Sequence, residues 1–120
     1  MVIPFAAVLL VFAPVWGAAY TFTDAQKLLR QYCQGCHRGK AAVGGFDLQQ
    51  FPSIEKIAEK PHIWDAALLR VRQHEMPPKG APAPTLEERE QFAAWLESTL
   101  RAAACAGGLK PGRSTIRRLN

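Results

Sequence analysis

At 120 residues and 13.2 kDa the chain has room for one small domain. Its 48% hydrophobic and 21% charged composition, with 9 Gly and 9 Pro, excludes both a disordered tail and a polytopic membrane protein. Fifteen Lys and Arg against ten Asp and Glu give a formal charge of +5. Four of those bases (Lys110, Arg113, Arg117 and Arg118) stand in an acid-free stretch from 110 to 120, which leaves eleven bases against ten acids elsewhere. The basicity belongs to the tail, and no nucleic-acid partner is expected.

From Val2 to Ala19 the sequence VIPFAAVLLVFAPVWGAA carries no charge, and the first charged side chain is Asp24. So short a run, broken by Pro4 and Pro14, is marginal for crossing about 30 Å of hydrocarbon and fits a secretory segment better. Gly17 and Ala19 fall at the minus-three and minus-one positions of a cleavage after Ala19. No Lys or Arg precedes the apolar run, so retention as a membrane anchor is the alternative. Residues 1–19 are therefore expected to be a signal peptide or N-terminal anchor. The remainder is expected to be periplasmic, or anchored facing the periplasm. In such a compartment three cysteines are an odd number for disulfides, and at least one has another role or is free.

The pattern then turns helical. Thr23 with Gln26 reads as a capping box, which predicts a first helix from about Asp24 to Cys33. Leu28, Leu29, Tyr32 and Cys36 share one face at three-to-four spacing, so Cys36 is expected to point inward. Residues 38–53, punctuated by Gly39, Gly44, Gly45 and Pro52, read as a wrapping loop anchored by Phe46 and Leu48. Ser53 caps a short turn from Ile54 to Glu59. Pro61 opens a second clear helix with Trp64, Leu68 and Val71 on one face, ending before Pro77 and Pro78. The prolines of MPPKGAPAP make residues 76–84 a stiff loop. Thr85 with Glu88 opens a third helix whose apolar face is Phe92, Trp95, Leu96 and Leu100, with Gly107 and Gly108 at its end. No β-alternation or internal repeat appears. The fold class expected is all-α, with three to four helices. A domain over 20–104 of this size needs a cofactor or cross-link to complete its core, and 105–120 is a basic linker.

Cys33-Gln34-Gly35-Cys36-His37 is CxxCH, the attachment pattern of c-type haem. Two thiols one turn apart can add to the two vinyl groups on one porphyrin edge, and the following imidazole then swings beneath the iron. Three other readings compete. A zinc knuckle needs further ligands, for which His62, His74 and Cys105 are available without paired spacing. A thioredoxin-like dithiol needs a βαβ setting that is absent. Chance occurrence is the third. For the sixth iron position the candidate is Met76, the only methionine besides the initiator, 39 residues after His37 on the proline loop. A thioether favours the ferrous state and raises the potential. His74 is the alternative ligand, and a merely packing Met76 is the bland one. An iron without a strong sixth ligand would suit a sensor or peroxidase. Trp64, Phe92 and Trp95 are expected to wall the haem, Arg38 and Lys40 to pair with a propionate or simply be solvated, and Cys105 to lack a partner.

CxxCH, then GGFDL, then Trp64, then EMPP, then a capped helix with Trp95-Leu96, resembles the planctomycete-type cytochrome c domain, a variant of class I cytochrome c. The resemblance runs from about Ala25 to Leu100. It implies a small cytochrome c-like fold of three to four helices, with 20–104 as the haem domain, one covalent haem c with iron, ligated by His37 and Met76, and a first helix crossing the last near the haem edge. It also implies a place at the N-terminus of a larger exported multidomain protein, because the tail 111–120 is similar to the opening of the domain that follows in such proteins. Cys105 departs from the family pattern. The expected function is single-electron transfer through Cys33, Cys36, His37 and Met76, without bond chemistry, to a redox partner protein or adjacent domain. The alternatives are a zinc-stabilised CxxC module or an open-site haem sensor or peroxidase.

Overall fold

The computed structural model describes residues 17–107, so residues 1–16 of the 1–19 signal or anchor reading and residues 108–120 of the 105–120 linker reading lie outside the described residues. Among the described residues there are four α-helices, α1 (Phe22–Tyr32), α2 (Ile54–Glu59), α3 (Pro61–Arg72) and α4 (Leu86–Ala106), and no strand. Three single 3-10 turns, Gly39–Ala41, Val43–Gly45 and Leu48–Gln50, give form to the loop between α1 and α2. No helix among the described residues is long and apolar enough to cross a membrane.

Helix α1 starts two residues earlier than the sequence pattern suggested. Its cap is Thr21, not Thr23: the Asp24 amide donates to Thr21 Oγ1 at 3.3 Å, and the Asp24 carboxylate accepts the Thr21 amide at 2.9 Å. A carboxylate puts full negative charge at the helix N-terminus, where a glutamine offers only a neutral amide. The earlier start also places Tyr20 and Phe22 against Trp95, with ring centroids 6.2 and 6.1 Å apart. Ser53 caps α2, Pro61 occupies the first turn of α3, and Thr85 with Glu88 forms the capping box of α4, each as the sequence indicated. A box of this kind contributes about 1 kcal/mol.

The longest helix, α4, organises the molecule by packing against α1, α2 and α3. Its inner face is Arg89, Phe92, Ala93, Leu96 and Leu100, spaced to fall on one stripe. Opposite that stripe lie Ala25 and Leu28 of α1, Ile57 of α2, and Trp64 and Leu68 of α3. Tyr32 ties α1 to α4 through its hydroxyl, which donates to Glu88 Oε2 at 3.4 Å. Among the described residues ten buried apolar side chains make a small core, to which the wrapping loop contributes Phe51 and against which it packs Phe46 and Leu48.

Candidate haem site

The attachment motif follows directly on α1. The Cys33 carbonyl accepts the amides of Cys36 at 3.2 Å and His37 at 3.0 Å, so CxxCH is itself a folded turn. Cys33 is half-buried, and burial pushes its thiol up to about 11 despite the favourable field of the nearby Arg89 guanidinium. Cys36 does not continue the inward face of α1: it is exposed, because the helix ends at Tyr32 and the turn rotates the second thiol outward. Neither thiol is in a disulfide, and Cys105, exposed on the last turn of α4, is free as well.

Three contacts orient His37. Its Nδ1 lies 3.2 Å from the Phe46 carbonyl oxygen, and its ring meets the Phe46 ring edge-on at 5.3 Å. Its own carbonyl accepts the Leu48 amide at 3.0 Å. A carbonyl can only accept, so the first contact sets the proton on Nδ1 and leaves the Nε2 lone pair for a metal. Phe46 is braced in turn by Trp64 and Phe51, each pair at 5.2–5.9 Å. The histidine thus stands on an aromatic stack rooted in the core.

Asp47, a residue to which the sequence reading gave no role, closes the loop that carries these groups. Its carboxylate accepts the Gly39 amide at 2.8 Å and the Gln49 amide at 3.0 Å, and those bonds hold it below the ordinary 3.8. A carboxyl depressed in the folded state contributes stability that is fully present above its ordinary value and is lost as pH falls through the lower folded one. Denaturant titrations below pH 3.8 should therefore show a steeper acid loss in the wild type than in Asp47→Asn. Identical acid limbs would remove Asp47 from this role.

Met76 sits on the loop after α3. That helix stops at Arg72, four residues short of Met76, in a left-handed cap: the Glu75 amide donates to the Arg70 carbonyl at 3.0 Å and the His74 amide to the Val71 carbonyl at 3.3 Å. His74 holds the left-handed position, with φ 59°. Met76 is half-buried while His74 is exposed, so the structure uses His74 for its backbone and leaves its ring in solvent. His62 is likewise exposed at the start of α3. His74→Gly should raise the stability of the holoprotein by about 1 kcal/mol, since glycine accepts this conformation without penalty. A lost iron ligand in that variant, read from its absorption spectrum, would restore His74 as the axial candidate.

Arg89 is the residue the sequence reading missed. Only 7% exposed, its Nη1 donates to the Val71 carbonyl at 2.8 Å and to the Met76 carbonyl at 2.7 Å. It thereby links α4 to the Met76 loop, and its field reaches Cys33. A signal existed: Arg89 falls on the stripe of Phe92, Ala93, Leu96 and Leu100. Trp95 belongs to the crossing of α1 and α4, touching Tyr20, Phe22 and Phe92. Arg38 and Lys40 are exposed.

The residues present fit a haem. Trp64 is 1% exposed, yet its Nε1 is buried without a hydrogen-bond partner, a costly arrangement for an indole N–H. A haem propionate is an acceptor of the kind it lacks. No group of three or more His, Cys, Asp or Glu side chains able to hold a metal ion occurs among the described residues, so the zinc alternative finds no site there. A cavity of about 570 Å³ between α1 and the start of α4, lined by Tyr20, Lys27, Gln31 and Glu88 among others, touches none of Cys33, Cys36, His37 and Met76.

A helical domain with CxxCH directly after its first helix, and a histidine oriented through Nδ1, has the arrangement of a haem-binding domain of the cytochrome c kind. More narrowly, residues 33–80 match the family model described as planctomycete cytochrome C, to which this segment is similar. The match begins at Cys33 and takes in His37, Trp64 and Met76. No curated protein and no solved structure matches the chain.

Proposed function

We propose that the domain carries one haem c, bound through Cys33 and Cys36 and ligated by His37 and Met76, and passes single electrons to a protein partner or an adjacent domain. Haem, when bound, supplies the one-electron ferric–ferrous couple. The polypeptide supplies the rest. Cys33 and Cys36 provide the two sulfurs. His37 presents Nε2 because the Phe46 carbonyl holds Nδ1–H. Met76 lies on a loop fixed by the α3 cap and by Arg89, which lowers the ordering cost of a weak thioether bond.

The oriented His37 next to the cysteine pair is the observation that carries this reading. Spectroelectrochemical titration of protein matured in a host competent for cytochrome c assembly is expected to give a reversible one-electron curve. Irreversible reduction, or no chromophore after denaturing electrophoresis with peroxidase stain, would overturn it.

Export is part of the same reading. Residues 17–19 are exposed and non-helical, so a cleavage after Ala19 leaves Tyr20 and the Thr21 cap of α1 intact. A mature domain beginning at Tyr20 in an oxidising compartment is consistent with covalent haem on two thiols that would otherwise pair.

A further inference from the structure

We propose that Arg89 is a positioning residue that pins the Met76 loop to the end of α3 and so keeps the methionine within reach of the iron. The inference rests on the Met76 ligation proposed above, and it concerns how that ligand is held.

The cation is buried at 7% exposure, and among the described residues it enters no salt bridge. Burying a guanidinium without a carboxylate is expensive, so the groups that receive it matter. Both are carbonyls at the same junction: Val71 in the last turn of α3, and Met76 four residues beyond its end. The first lacks the amide donor four residues on, accepts a long bond from the His74 amide at 3.3 Å within the cap, and lies at a helix C-terminus, where a cation is favoured. The second belongs to the axial candidate itself. One nitrogen at 2.8 and 2.7 Å from the two oxygens fixes the distance between helix end and ligand.

The remaining restraints on this segment are local. The Met76 amide donates to the Arg70 carbonyl at 3.3 Å, a long bond, and Pro77 and Pro78 have no amide hydrogen to add. Beyond them the Ala81 amide closes a turn on the Pro78 carbonyl at 3.1 Å, with Gly80 at φ 90°. Arg89 therefore supplies the link between Met76 and the long helix α4, which packs on every other helix. Its position one turn before Phe92 makes that anchor rigid, because Phe92, Ala93 and Leu96 are buried.

The test uses holoprotein and three variants, Arg89→Gln, Arg89→Lys and Met76→Ala, with helix content checked by circular dichroism. Two readouts are compared: tryptic cleavage at Lys79–Gly80, followed by mass spectrometry, and the rate of carbon monoxide binding to the ferrous protein. The first reads the loop without reference to iron. Arg89→Gln is expected to speed both at least about tenfold, and Arg89→Lys, which keeps a donor and the charge, to fall between it and the wild type. Should Arg89→Gln fail to fold, Arg89→Lys alone decides, with a rise in both rates expected. Unchanged cleavage and binding in the Arg89 variants, while Met76→Ala admits carbon monoxide, would overturn the positioning role and leave Met76 ligation standing. If Met76→Ala binds carbon monoxide no faster than the wild type but the Arg89 variants are cut faster, the pinning holds and the ligation reading fails instead.

Discussion

Met76→Ala is expected to convert a ferrous protein that resists carbon monoxide into one that binds it at least about tenfold faster, equivalent to 1.4 kcal/mol or more of competing bond lost. The resistance expected of the wild type follows from three features of the loop. The left-handed cap at His74 turns the chain sharply after α3, Arg89 holds the Met76 carbonyl, and the prolines that follow narrow what the backbone can do. The reduction potential should fall in the same variant, because a thioether stabilises the ferrous iron and alanine offers nothing in its place. Free binding of carbon monoxide by the wild type would point to an open iron, and with it to the sensor or peroxidase alternative.

Trp64→Ala should destabilise the holoprotein by about 3–5 kcal/mol, the cost of emptying a large aromatic site. Trp64 is 1% exposed and stands edge-on to both Phe46 and Phe51 at 5.2 Å. Removing it takes away core volume and the brace behind Phe46, on whose carbonyl the orientation of His37 depends. Trp64→Phe keeps an aromatic ring in the stack while giving up the five-membered part of the indole with its N–H, so its cost should be less than half as large. Denaturant unfolding followed by the haem absorbance separates the two. A Trp64→Ala loss below about 1 kcal/mol would mean that the site collapses around the missing ring and that the stack does not carry His37.

Much of this arrangement was legible in the sequence, and the exceptions share a physical cause. Ser53, Pro61 and the Thr85/Glu88 pair mark helix starts because capping is local chemistry within four residues. The start of α1 was misplaced for a reason that is not local: Thr21 with Asp24 and Thr23 with Gln26 are both workable boxes, and the contact of Tyr20 and Phe22 with Trp95, more than seventy residues away, favours the earlier one. Extending the α1 stripe to Cys36 failed because periodicity does not reveal that the helix ends at Tyr32. Arg89 sat unnoticed within the charged run Glu87-Glu88-Arg89-Glu90, which reads as a solvated face. Its two acceptors are 18 and 13 residues away, on another helix and its loop. CxxCH was legible because its residues are consecutive, whereas the orientation of His37 depends on Phe46 across a turn.

The claim on which the other assignments depend is that both sulfurs of the CxxCH turn carry a porphyrin. Intact-mass and peptide mass spectrometry of protein expressed with a cytochrome c maturation system tests it most directly. The expected result is one added haem per chain, located on the peptide containing Cys33 and Cys36, with Cys105 unmodified by haem. A chain of unchanged mass whose Cys33 and Cys36 both react with a thiol reagent would contradict it.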